Sequence, residues 1–358
     1  MAFILPSEYQ IAASLFSASS IREFFLPDLY KSLGFPTEYE DRRSLFWQAS
    51  EGSLEDSATL MEELGEISFD DWSLINLLRT NYLDFQRTFF DQAEVFDTKR
   101  AYLGYFLQYA KISELLEGAR NIFEIGPGQG HLAVLTAKSL EGLESYSALD
   151  AVQSNYCFQS AYWSNAIGIN FVESALRYLP TAPVPSYLKS SSHPRIRPMA
   201  NASLPLVRHL PWWWLDLSNS EQYRSTFHNT DLIIASACLN ELKPECLNFL
   251  LDTLAANVQI GTRLFYQCPG HRYDSRNLVE TLFSRGFHPE FIVGWNPPFV
   301  NFRLARPMAL FKATGVPLSD VSYHQSLALS NGTLTFVKPE WQSRLVEFYA
   351  RRHSELTG

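Results

Sequence analysis

Glu124, Asp150 and the glycines Gly126, Gly128 and Gly130 are the residues whose types and spacing can do chemistry in this chain. Glu124 lies in a short apolar run, Asn121 to Ile125, that reads as a buried strand, and Leu132 to Leu140 reads as the amphipathic helix after it. Glycines at alternate positions let the turn between them adopt backbone angles closed to other residues, and let a ligand approach the main chain without meeting a Cβ. The spacing is G-x-G-x-G, whereas the dinucleotide fingerprint is G-x-G-x-x-G. Glu124, just ahead of the first glycine, repels a pyrophosphate but suits a ligand that carries an ammonium and no phosphate. A second strand, Tyr146 to Asp150, ends in an acid 20 positions after Gly130 (150 − 130), placed to accept both hydroxyls of a ribose.

Strand, glycine cluster, helix, strand and acid in this order resemble the class I S-adenosylmethionine-dependent methyltransferases, whose first motif has the form E-x-G-x-G-x-G. The resemblance covers roughly residues 118 to 314. It implies an α/β fold with a Rossmann-like sheet of seven strands, the last antiparallel, and S-adenosylmethionine as cofactor. Glu124, Gly126, Gly128, Gly130 and Asp150 then hold that cofactor. His131, at a helix N-terminus that disfavours an imidazolium, lines its pocket, and Glu173, after the third strand, sits at the adenine end. A nicotinamide dehydrogenase is the rival, disfavoured by the glycine spacing and by Glu124; a non-catalytic scaffold is disfavoured by the intact glycines and Asp150.

A narrower likeness, to bacterial sugar O-methyltransferases, rests on the segment Asp231 to Leu242 with its Asn240-Glu241 pair, and on His209-Leu210-Pro211-Trp212-Trp213-Trp214. Ligands in open α/β sheets lie beyond the carboxyl ends of the strands, which selects loops 126–131, 150–153, 173–174, 237–243, 268–273 and 296–306. Glu241 and His271 sit on two of them, and His209 precedes the tryptophans. All three are candidates for the base that takes an acceptor proton. Asn240, Trp212 and Trp213 are candidates for holding the acceptor, since aromatic faces cover the C–H faces of a sugar. Against this, Glu241 can simply open the next helix, and one or more of the tryptophans can anchor the chain to the core. Asn296-Pro297-Pro298-Phe299 resembles the motif of amino-group methyltransferases, but it follows the wrong strand and reads as a proline-rich turn. Another natural-product hydroxyl or an amine is the alternative acceptor.

The net charge of −9 and a pI near 5.4 argue against a phosphate-backbone binder, which needs a basic stripe. Cysteines 157, 238, 246 and 268 form no C-x-x-C pair and no zinc spacing, so they read as reduced thiols and no metal is expected. No run approaches a membrane span and the start has no charged leader, so a soluble, cytoplasmic protein acting on a small molecule is expected.

The elements that must position these residues divide into three parts. Residues 1–118 read as a helical cap, with capping-box starts at Ser53-x-x-Asp56 and Ser68-x-x-Asp71 and a helix over Thr98 to Glu117. Residues 119–314 read as the alternating α/β core, interrupted at 175–230 by a proline- and serine-rich irregular insertion. Residues 315–358 read as a hairpin, Gln325 to Leu329 and Thr333 to Val337 around Asn331-Gly332, then a helix opening at Pro339.

Overall fold

The computed structural model describes residues 3–17, 37–41, 45, 57–90, 95–97, 99–179, 204–217, 221–236, 238–239, 242–267, 275–294, 304, 306–317, 328–330 and 333–353. Within these, four helices precede the first strand: α1 Pro6–Ser14, α2 Ser57–Leu64, α3 Phe69–Phe90 and α4 Lys99–Ala110, the last continuing as a π-helical turn Lys111–Leu115. The box expected at the start of α3 is formed. Ser68 Oγ accepts the Asp71 N–H at 3.1 Å, and Asp71 Oδ2 accepts the Ser68 N–H at 3.2 Å, satisfying two donors that a helix start leaves open. The other expected start, Ser53-x-x-Asp56, lies outside the described residues. A fully buried ion pair, Lys111 Nζ to Glu63 at 2.5 Å, joins α2 to the end of α4.

Strands and helices then alternate: β1 Asn121–Ile125, α5 His131–Ser139, β2 Ser145–Asp150, α6 Gln153–Ala166, β3 Phe171–Glu173, β4 Leu206–Pro211, α7 Glu221–His228, β5 Leu232–Ser236, α8 Pro244–Asn257, β6 Arg263–Gln267, α9 Ser275–Phe283, β7 Phe287–Val293 and β8 Met308–Ala313. The chain closes with β9 Ala328–Ser330, β10 Thr333–Val337 and α10 Pro339–Arg352. The strand order is β3-β4-β2-β1-β5-β6-β8-β7-β10-β9. β1 to β6 pair in parallel, and β8 runs antiparallel to both β6 and β7. Strands covered on both faces must be apolar throughout, and Ile122, Phe123, Leu232, Ile233, Ile234, Leu264 and Phe265 are all buried. β1 lies between β2 and β5, so the sheet grows outward from it in both directions. The crevice above that switch point is where such sheets hold ligands.

The sheet is wider than the seven strands expected. β10 extends it past β7, through Phe336 opposite Ile292 and Val337 opposite Phe291, and β9 pairs with β10 as the hairpin arm. The described part of the arm is Ala328–Ser330; residues 325–327 and the Asn331-Gly332 turn lie outside the described residues. The second addition is β4, inside the segment read as irregular. Residues 180–203 and 218–220 of that segment lie outside the described ones. Its described parts are a 3₁₀ turn Ala175–Tyr178, then β4, a 3₁₀ turn Trp212–Leu217 and α7. The prolines and serines around it masked a strand of six residues.

One apolar core runs from Ile4 to Tyr349. The tryptophan run belongs to it. Trp213 is fully buried, stacked on Phe16 at 5.6 Å and edge-on to Trp212 at 5.4 Å, with Tyr9 at 5.0 Å. Trp214 packs on Tyr223 and Phe227 of α7. Trp212 and Trp213 therefore have their faces covered by protein, which corrects the expectation that they stack on a sugar.

Candidate functional site

The loop after β1 is held from three sides. The Gly126 N–H donates to the Leu149 carbonyl of β2 at 2.9 Å, the Gly130 N–H to the Pro127 carbonyl at 2.9 Å, and the Gln129 N–H to the Tyr105 hydroxyl of α4 at 3.3 Å. Gly130 sits at φ +77°, and a Cβ there would lie 2.5 Å from Nε1 of Trp163. That indole donates to the Gly130 carbonyl at 2.8 Å, so the loop is seated on α6 by a contact only glycine allows. At Gly128 a Cβ would come within 3.0 Å of the Tyr105 hydroxyl.

Glu124 of β1 and Asp150 of β2 share one face of the sheet, Glu124 lying opposite Ala148, two residues before Asp150, and both are buried. Burial pushes the Glu124 carboxyl up to about 8. The Tyr146 hydroxyl, donated to Oε2 at 2.6 Å, opposes the rise, and the charge of Asp150 adds to it. Asp150 is raised by burial to about 6, against the Val152 N–H at 2.8 Å, the Gln159 amide at 2.6 Å and the charge of His209. Two buried acids that resist ionisation, on adjacent strands, suit a cationic, hydroxyl-bearing ligand.

His131 opens α5 directly behind the glycines and is fully buried. Its ring is ringed by Tyr82 at 4.4 Å, Tyr105 at 5.0 Å, Tyr162 at 5.3 Å and Tyr102 at 5.8 Å. Nε2 meets the Gln129 amide oxygen at 3.2 Å and Nδ1 the Tyr162 hydroxyl at 3.4 Å. Burial drops its pKa to about 3, so the ring is neutral and transfers no proton near pH 7.

Glu173 and His209 are placed elsewhere than expected, for one reason. β4 inserts between β2 and β3, which sets Glu173 one strand spacing, about 4.8 Å, farther from Asp150 than a third strand beside β2 would. Its carboxylate is taken up internally: Oε1 by the Tyr156 hydroxyl at 2.5 Å and the Ala175 N–H at 2.9 Å, Oε2 by His209 Nδ1 at 2.8 Å. His209 is fully buried in β4, stacked on Tyr156 at 3.7 Å, and its Nε2 meets the Gln159 amide oxygen at 2.9 Å. Both ring nitrogens of His209 are thus engaged, one with Glu173 and the other with Gln159, the partner of Asp150, which leaves neither free to take a proton from an acceptor.

Gln159, which sequence reasoning passed over, is the joint of this arrangement. Its amide nitrogen donates to Asp150 Oδ2 and, at 2.5 Å, to the Gly128 carbonyl. A continuous buried chain results, from the glycine loop through Asp150, Gln159 and His209 to Glu173 and Tyr156. The signal was present: Tyr156, Gln159 and Trp163 fall at i, i+3 and i+7, one face of α6, and that face meets the sheet.

The remaining candidates are sparser among the described residues. Asn240, Glu241, His271 and Asn296 to Phe299 lie outside the described residues. The strands that lead into the first two of those loops end in Ser236 and Gln267, directly opposite each other. Both share the face of Glu124, since Glu124 is opposite Ile234 and Ile234 opposite Phe265. Ser236 accepts the Gln108 amide of α4, and the Gln267 side-chain oxygen is buried with no hydrogen-bond partner among the described residues. Cys157 and Cys246 are buried thiols outside any disulfide, and the partly covered Cys238 donates its Sγ–H to the Ile125 carbonyl at 3.0 Å. Among the described residues no group of His, Cys, Asp and Glu could hold a metal, and no helix is long and apolar enough to cross a membrane.

No family model matches the chain, and no curated protein matches it. Among solved structures, a TehB-like S-adenosylmethionine-dependent methyltransferase from Corynebacterium glutamicum is similar at TM-score 0.37 and 14% identity, over 57% of this chain and 87% of that one. Magnesium protoporphyrin IX methyltransferase from Synechocystis, with S-adenosylmethionine bound, is similar at TM-score 0.36 and 11% identity, over 70% and 100%. The N-methyltransferase NodS from Bradyrhizobium japonicum, with S-adenosylhomocysteine, is similar at TM-score 0.31 and 14% identity, over 57% and 84%. Likeness at this level carries no argument about activity.

Proposed function

We propose that the protein is an S-adenosylmethionine-dependent methyltransferase acting on a small-molecule acceptor. The observation that carries this reading is the pair of buried acids at the ends of adjacent strands, Glu124 and Asp150, above a glycine loop too closely seated for any Cβ at Gly130. The residues fit the group. Glu124 has one oxygen occupied by Tyr146 and takes the ammonium with the other, Asp150 accepts the ribose hydroxyls, and the glycine backbone lies against the rest. When bound, the cofactor supplies an electrophilic methyl for in-line displacement. The protein's share is alignment, for which effective molarities of about 10⁵ M and upward are attainable.

The Glu124 carboxyl makes this reading testable through protons. At pH 7 a group titrating at about 8 is mostly protonated in the free protein, and an ammonium beside it favours the charged form. Binding of S-adenosylhomocysteine at pH 7 is therefore expected to release close to one proton per site. Calorimetry in buffers of different ionisation enthalpy measures it. A proton count near zero means that Glu124 does not meet the ammonium.

A sugar or glycosylated hydroxyl remains the proposed acceptor, with Glu241 or His271 as its base; another natural-product hydroxyl or an amine is the second reading. Radiolabelled S-adenosylmethionine with a panel of glycosides and their aglycones identifies the class. Glu241→Ala and His271→Ala then separate the bases: the true one loses turnover by about 10²-fold or more while affinity for S-adenosylhomocysteine holds. His209→Ala is expected to do the reverse, weakening cofactor affinity through Gln159 and Asp150. If both loop variants keep turnover, the acceptor is an amine reacting as its free base.

A further inference from the structure

A second cleft, of about 300 Å³, opens at the opposite end of the sheet, against the amino ends of β1, β2 and β4. The register fixes what faces it. Arg208 is opposite Ser147, and Ser147 opposite Phe123, so these share one face with Asn121 and Ser145 two residues earlier. Phe123 packs on Phe227 of α7 at 4.8 Å, so this is the α7 face; His209, one residue on from Arg208, meets Trp163 of α6 on the other. Ser225, Thr226, Asn229 and Thr230, in and after α7, close the cleft from above.

Arg208 is the unusual member. It is half-buried, and among the described residues nothing accepts a hydrogen bond from its guanidinium or pairs with it. Burial lowers its pKa, and the neighbouring Arg177 lowers it further. The carboxylate at the rim, Glu144, is an ion-pair partner of Arg120. A guanidinium drawn out of water without a counter-charge is costly, and an oxyanion accepting two of its N–H groups removes that cost. We infer that this cleft binds a small oxyanion, a phosphate, sulfate or carboxylate group, on Arg208. The walls of hydroxyl and amide groups around it suit a polar ligand body attached to that anion, and 300 Å³ is the size at which ligand pockets begin. The site lies a strand's length, about 15 Å, from the cofactor crevice, so its ligand is separate from both cofactor and acceptor.

Thermal denaturation in inorganic phosphate, against sodium chloride of equal ionic strength, tests this. The wild-type midpoint is expected to rise with the logarithm of phosphate concentration once the site fills. Arg208→Gln is expected to lose that rise while binding S-adenosylhomocysteine as the wild type does, and Arg208→Lys to retain part of it. Ribose 5-phosphate stabilising more than phosphate at equal concentration assigns the ligand as an organic phosphate; equal stabilisation assigns the free anion. A rise that persists in Arg208→Gln, or that chloride reproduces, overturns the inference. Should Arg208→Gln fail to fold, phosphate titrated calorimetrically into wild-type protein decides: a saturating isotherm is expected, and its absence is fatal to the site.

Discussion

Gly130→Ala is expected to destabilise the protein severely and to abolish cofactor binding. The added Cβ meets Nε1, Cε2 and Cζ2 of Trp163 at 2.5, 2.7 and 2.8 Å, and the indole cannot retreat because it is fully buried, 4.7 Å from the His209 ring. Left-handed backbone costs an alanine about 1–2 kcal/mol and overpacking about 1–3 kcal/mol more, so roughly 2–5 kcal/mol in all. Gly142 supplies the control, because it has almost the same φ, +76°, with nothing within 4 Å of a Cβ. Gly142→Ala should show the strain alone, about 1–2 kcal/mol. Denaturant midpoints of the two variants measure the difference. Equal losses would mean that Trp163 does not seat the loop.

Asp150→Ala should weaken binding of S-adenosylhomocysteine by about ten- to a hundredfold, since hydrogen bonds to a charged group contribute roughly 1.5–3 kcal/mol. Gln159→Leu should act on the same affinity without touching the ligand. It deprives Asp150 of the donor at 2.6 Å and the Gly128 carbonyl of its partner at 2.5 Å. The sign of the pH effect separates this positioning role from mere loss of fold. Asp150 titrates at about 6 and Gln159 helps hold it down. Wild-type affinity should fall as pH drops below about 8, where Glu124 takes up its proton, and a second fall should follow below about 6, where the Asp150 carboxylate takes up its own. In Gln159→Leu that second fall should begin at higher pH. A uniform loss of affinity with an unmoved midpoint would show that Gln159 contributes packing alone.

The β1–β2 half of the candidate site could be read from the chain because it is local. β1, the glycine loop, α5 and β2 follow one another within 30 residues, 121 to 150, and each announces itself by period or by glycine. Strand adjacency is not local. Sequence order puts Glu173 on the third strand, but β4 comes between it and β2, and no pattern in the chain states that order. His209 illustrates a second limit. It stands in an apolar-flanked strand, where a histidine beside tryptophans reads the same whether it serves a sugar or a buried carboxylate; only the contact with Glu173 at 2.8 Å distinguishes them. The tryptophans misled for the same reason, since flat aromatic area fills a core as well as it covers a ligand. Gln159 was within reach of helix-face arithmetic, which the search for acids and histidines bypassed.

We propose that the carboxyl ends of β1 and β2 hold an ammonium-bearing nucleoside and no dinucleotide. Titration calorimetry of the intact chain with S-adenosylhomocysteine and, separately, with NAD measures this directly. A saturable isotherm with the first, weakened by Asp150→Ala, and no heat of binding with the second is the predicted result; tight NAD binding with no response to S-adenosylhomocysteine would contradict it.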